Sequence, residues 1–244
     1  MRSSARVPLA WFAVAVLCVA LLLLLPGDTG LAVGRLAVTL PLALLTLVVA
    51  LLVGGTATLL LAAMNASLEV VLRSFSLLPA FAIGLLLTLV LSRPGLLPTG
   101  GFVPWERDVA GALRSLLLPA LALGLPHGLA LAHQMLLVRR QVSTGALETL
   151  QLQGMSERMA RRRLRGQALG TVLPGLVGRH FGAIVAGTAV VESLFYLPGL
   201  GRQMLGAATA RELPLLLEGL GWLLAIAASG MLLAALLRRP GHGA

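Results

Sequence analysis

ALETLQLQGMSERMARRRLRGQALGTVLP, residues 146–174, is the one long polar stretch in a chain otherwise made mostly of Leu, Ala, Val and Gly. Seven arginines fall between Arg139 and Arg165, and long apolar runs flank them on either side. A basic block of this kind between two membrane spans belongs on the cytoplasmic side. Within it, residues 145–153 form two helical turns that present Glu148 and Gln151 on one side, with Leu147, Leu150 and Met155 nearby. Gly154 follows, and glycine takes φ > 0 at a helix stop without penalty. Arg158, Arg161, Arg162 and Arg165 recur at helical spacing on the next segment, where they suit lipid phosphates or an acidic partner. For the arginines alone, the simpler reading is a positive-inside anchor with no partner.

The rest of the chain supports a membrane setting. Of its 244 residues 58% are hydrophobic and 11% charged, too little polar surface for a soluble domain. All 19 basic residues are arginine. Without lysine the chain has no conventional phosphate-binding P-loop and no Schiff-base amine. The net charge of +10 is explained by arginines flanking apolar spans, so no nucleic-acid partner is expected. Cys18 is the only cysteine, and the four histidines show no metal-ligand spacing, His127 and His133 falling on different helix faces. No metal or other cofactor is expected.

Taken in order, Arg2 and Arg6 precede a first apolar run at 8–25, read as a retained span with its N-terminus inside rather than a cleaved signal peptide. The second span is 36–64, where Gly54-Gly55 permits close helix contact. A cytoplasmic link, 65–73, leads to a third span at 74–92, with Pro79 inside it. Residues 93–114 are rich in turn formers and read as an external loop. The fourth span is 116–138, the fifth 171–194 and the sixth 213–237, with a polar stretch to Glu212 between the last two. On this map twelve arginines are cytoplasmic and six external, with Arg179 in the fifth span and snorkelling to head groups. Trp11, Trp105 and Trp222 are interfacial or packing aromatics.

Four matches converge on one family. Glu148-Thr149-Leu150, Gly154 and Leu173-Pro174 resemble the EAA loop of ABC importer permeases. GLLPTGGFVP at 95–104 with LLLPALALGLP at 116–126, and VVESLFYLPGLGRQML at 190–205, resemble the dipeptide/oligopeptide/nickel branch of that family; LLPGD at 24–28 is similar to the end of its first span. The likeness covers nearly the whole chain. It departs from the family where Thr149 and Leu150 replace two alanines, where the Gly154-to-Pro174 interval is longer, and where the external segment 26–35 is shorter.

The resemblance implies an all-α polytopic fold of six transmembrane helices, the type I ABC importer permease fold also found in methionine importers. It implies a single domain, with 36–239 as its core and 139–170 as the cytoplasmic coupling loop, set in the inner membrane with both termini cytoplasmic. The implied partners are two ABC ATPase subunits, a second homologous permease and an external solute-binding protein. The loop docks as a short helix on the ATPase, ATP is bound by those subunits, and this chain has no catalytic chemistry. The implied solutes are peptides or a related small solute such as a nickel complex.

Glu192, with Pro198, Gly199 and Gly201 in the turn after it, is the candidate lining of the pathway. The alternative for Glu192 is structural, a carboxylate paired with Arg202 or exposed at the interface. A secondary transporter or channel without ATPase partners is the rival for the whole chain, but it would need mid-membrane coupling groups, for which Glu192 is the one nearby candidate. An intramembrane hydrolase carries little weight, because Ser193 and His180 lie thirteen residues apart along one span, too far to meet.

Overall fold

A computed structural model of the protein describes residues 29–61, 79–91, 98, 100–140 and 144–237. The expected first span, the link at 65–73, the first part of the third span, and arginines 2, 6, 73, 93, 238 and 239 lie outside the described residues.

The described residues form helices throughout, in the order α1 (Thr29–Leu61), α2 (Ala80–Leu91), α3 (Val109–Arg140), α4 (Thr144–Leu152), α5 (Glu157–Leu194), α6 (Leu200–Ala210) and α7 (Leu213–Leu236). Four of these are long and apolar enough to cross a membrane, at Gly34–Leu61, Val109–Arg140, Glu157–Leu194 and Leu213–Leu236. Large apolar side chains stand exposed around them, among them Leu52, Leu59, Leu60, Leu89 and Leu236. That is the surface of a bundle whose solvent is hydrocarbon rather than water.

Helix ends follow their local chemistry. The loop before α3 stops at Asp108, whose carboxylate accepts the Ala110 N–H at 2.9 Å and caps the helix. External loop 93–114 is therefore shorter than expected, because its last six residues, Arg114 included, belong to α3. Likewise α1 begins at Thr29, so most of the segment 26–35 is helical. α3 ends on Arg139 and Arg140, cations placed where the helix dipole favours them. α7 opens with a proline in its first turn, where no N–H is missed.

α1 and α3 form the most extensive contact, and α5 packs on both α3 and α7. Small residues set the spacing. A Cβ on Gly124 or Gly128 of α3 would run into Val49 or Val53 of α1, and one on Gly54 would meet the Gly128 carbonyl at 3.0 Å. Of the pair Gly54-Gly55, only Gly54 makes that contact; Gly55 faces open space. The core gathers Leu42, Leu116, Leu118, Ile184, Val191 and Phe195 where α1, α3 and α5 meet α6.

Two departures from the sequence reading matter for the site. The arginine-rich segment and the fifth span are one continuous helix, α5, of 38 residues, with Pro174 inside it. Leu173-Pro174 is thus a half-buried step within a helix, not the end of a loop. The polar stretch before the last span is itself a helix, α6, which the sequence reading missed.

Candidate functional site

At one end of α5 the chain makes the elbow that the polar stretch foretold. α4 runs for nine residues and ends where Gly154 takes φ +86°. The Gly154 N–H reaches the Gln151 carbonyl at 2.9 Å and the Met155 N–H reaches the Leu150 carbonyl at 3.1 Å. This pair of bonds satisfies carbonyls that the helix end would otherwise orphan, with Met155 brought back toward Leu150. Leu147 is buried, Leu150 is half-buried, and Glu148, Thr149 and Gln151 are exposed. Thr149 returns its hydroxyl to the Gly145 carbonyl at 2.9 Å. Leu152 is 90% exposed, an apolar side chain held out beside Glu148 and Gln151. α4 packs on α5 through its buried face and leaves the other face free.

Beyond the elbow, Arg158, Arg161, Arg162 and Arg165 of α5 share a groove of about 460 Å³ with Arg139 of α3. Glu157 pairs with Arg161 at 2.8 Å one turn along. Arg163 lies off that groove, its guanidinium 3.9 Å from the Met155 sulfur.

At the other end of α5 lies Glu192, with no exposed surface. Its Oε1 accepts the Thr39 hydroxyl of α1 at 2.7 Å, and its Oε2 accepts the Arg202 backbone N–H at 3.1 Å. Thr39 in turn accepts the Leu200 N–H at 2.9 Å. Gly199, Leu200 and Arg202 open α6, so two other helices cap the N-terminus that α6 does not cap itself. A buried carboxylate aimed at a helix N-terminus is favourable for charge as well as for hydrogen bonding. Gly199 and Gly201 are explained by the same geometry. A Cβ on Gly199 would strike the Glu192 carboxylate, and one on Gly201 would strike the Ala189 backbone.

The structural alternative for Glu192 was pairing with Arg202 or exposure at the interface. The pairing is made through the Arg202 backbone, while the guanidinium lies over the Tyr196 ring, 5.1 Å from the centroid. Tyr196 makes the turn between α5 and α6 with φ 55° and stands mostly exposed, beside Pro198, which is also exposed. Pro198 and Arg202 open onto a second groove of about 440 Å³ together with Arg35 and Gln203. The loop before α3 closes over this end. Trp105 donates its indole N–H to the Ala37 carbonyl at 2.8 Å, and the Gly101 N–H bonds the Phe195 carbonyl at 2.9 Å.

One contact had no sequence signal. His127 of α3 and His180 of α5 meet with their Nδ1 atoms 3.2 Å apart and rings edge to face. Each had been compared only with residues on its own helix. The pair links α3 to α5 halfway along the bundle. Among the described residues, no three His, Cys, Asp or Glu side chains converge as a metal site would require.

A multi-pass helical membrane protein is thus defined, with a short exposed helix at the basic end of its longest span and a charge-capped hairpin at the other. The chain belongs to the family described as the binding-protein-dependent transport system inner membrane component, which matches residues 50–239. It is 34% identical, over 192 residues, to a protein of Brucella suis biovar 1 (strain 1330) that carries the provisional name of a peptide transport system permease protein, covering 74% of this chain and 60% of that one. A protein of the same provisional name in Brucella abortus (strain 2308) is 34% identical over the same coverage. The glutathione transport system permease protein GsiC of Escherichia coli (strain K12) is 31% identical over 145 residues, 57% of this chain and 43% of GsiC. The chain spans about 60% of the length of the Brucella relatives.

Proposed function

We infer that this protein is a permease subunit of an ATP-driven importer that takes up peptides or a related small solute. It works with a second homologous permease, two ATPase subunits that bind the nucleotide, and an external solute-binding protein. The six-span topology joins the four described spans to the apolar run at 8–25 and the span that includes α2, with both termini on the cytoplasmic side. α4 is the helix that seats in the ATPase, and Glu148, Thr149, Leu150 and Gly154 are the residues that shape it. Leu173 and Pro174 act only through the course of α5.

The observation that carries this reading is α4 itself. A nine-residue helix with a free face, closed by a glycine stop and rooted on the longest span, is a poor way to join two spans and a good way to present a docking surface. The peptide class is supported by the names of the relatives, glutathione being itself a small peptide. Glu192, Gly199 and Gly201 take a different role, holding the α5–α6 hairpin shut.

The test reverses charge on the free face. Glu148→Arg changes an exposed side chain and leaves insertion alone, so protein level should match the parent. Co-purification of the ATPase subunits and solute uptake should both fall at least about tenfold, the loss of roughly 1.4 kcal/mol of docking. Parental co-purification together with parental uptake would reduce the elbow to a positive-inside anchor.

A further inference from the structure

We propose that the arginine groove between the end of α3 and the start of α5 is a binding site for the head group of an anionic phospholipid. Arg139, Arg158, Arg161, Arg162 and Arg165 line one concavity, contributed by the end of α3 and the start of α5. Glu157 pairs with Arg161, which leaves the cluster strongly cationic. Like charges gathered in one groove repel, and a polyvalent anion placed among them removes that repulsion. The Nε of Arg139 is buried without a hydrogen-bond partner among the described residues, a donor that an anion in the groove would satisfy. Guanidinium groups offer planar forks that match phosphate oxygens two at a time.

Position and lining select the source of the phosphate. Arg139 directly follows the apolar residues Met135, Leu136, Leu137 and Val138 of α3, so the groove lies where an apolar span gives way to charge. That is the level of lipid phosphates, where arginines are attracted to an acidic leaflet. Leu169 supplies an apolar wall for the glycerol region. Among the described residues the lining has no aromatic ring on which a nucleotide base would stack, which favours a lipid over a soluble nucleotide.

The experiment uses the full chain in detergent, without ATPase subunits, so its outcome is independent of the docking role given to α4. Cardiolipin, phosphatidylglycerol and phosphatidylcholine are titrated separately, and bound lipid is counted by native mass spectrometry. The parent should prefer the anionic lipids by roughly tenfold or more. Arg158→Gln/Arg162→Gln/Arg165→Gln should erase that preference. Arg107→Gln/Arg114→Gln/Arg211→Gln, with the same charge change at exposed sites outside the groove, should keep it. Replacing the three groove arginines by lysine keeps the charge and loses the fork, so it should cost about threefold.

Equal binding of cardiolipin by the parent and the groove glutamine variant overturns the proposal. So does displacement of cardiolipin by millimolar inorganic phosphate or ATP, which would make this a site for free phosphate. A groove variant that keeps its lipid but loses the ATPase from the assembled complex would show a protein-docking surface instead, and would overturn the proposal as well.

Discussion

A carboxylate with no exposed surface in an apolar bundle is tolerated only where donors surround it. Glu192 finds them in the Thr39 hydroxyl and the first turn of α6. Thr39 is the pivot of the arrangement, since its one hydroxyl donates to Glu192 and accepts from Leu200. Thr39→Val keeps the shape and strands both partners, at about 1–3 kcal/mol each. Glu192→Gln turns an amide N–H toward one of two donors and should cost a similar amount once. Both variants should insert normally, and both should unfold in detergent at lower temperature than the parent, while Thr39→Ser should unfold with it. A Thr39→Val protein as heat-resistant as the parent would remove the capping role. The sequence left pairing with Arg202 and interfacial exposure open for Glu192, and the structure has the pairing. The bonding group is the backbone N–H, which no side-chain reading could name because it is presented only once α6 exists.

At the scale of elements, α4 and its glycine stop were legible because everything that makes them is local. The stop also allows a clean test. A Cβ on Gly154 meets nothing within 4 Å, so any penalty there comes from the backbone and not from crowding. At φ +86° a β-branched residue is strained by more than the roughly 1–2 kcal/mol that an ordinary Cβ costs, whereas asparagine tolerates the region. Gly154→Val should therefore lose ATPase co-purification and uptake at normal membrane abundance, and Gly154→Asn should keep most of both. Equal loss in the two variants would mean that glycine is needed there for something other than its backbone angle. α6 was not legible. Its stripe of Leu200, Met204 and Ala207 lies in a segment of only eleven residues, and Gly201 and Gly206 within it argue against a helix. It is helical because α5 and α7 pack on it and Glu192 caps it. α5 was read as two pieces because the apolar run begins only near Thr171, yet the helix continues through that change and through Pro174.

For the whole molecule, the arginine bias fixes an orientation that reporters can check. With twelve arginines mapped to one side and six to the other, alkaline phosphatase fused near Trp105 should be active and one fused after Arg165 inactive. Activity at Arg165 would place the elbow outside and remove its access to any cytoplasmic ATPase. The spans were legible as apolar runs, but their contacts were not. The packing of Gly128 under Val53 and the meeting of His127 with His180 join residues dozens of positions apart, and no local pattern records such pairs.

The continuity of α5 has a mechanical consequence. Its buried residues crowd from Gly175 onward, while Ala160 is the one buried residue in the part before Pro174. Half of the helix is gripped like an oar in a rowlock, and the other half is a blade about 27 Å long, mostly exposed, with α4 packed near its tip. A stroke that swings this blade by about 10° moves its tip by roughly 5 Å. The same stroke puts its torque on the gripped half, where Glu192 pins the far hairpin to α1 and α6.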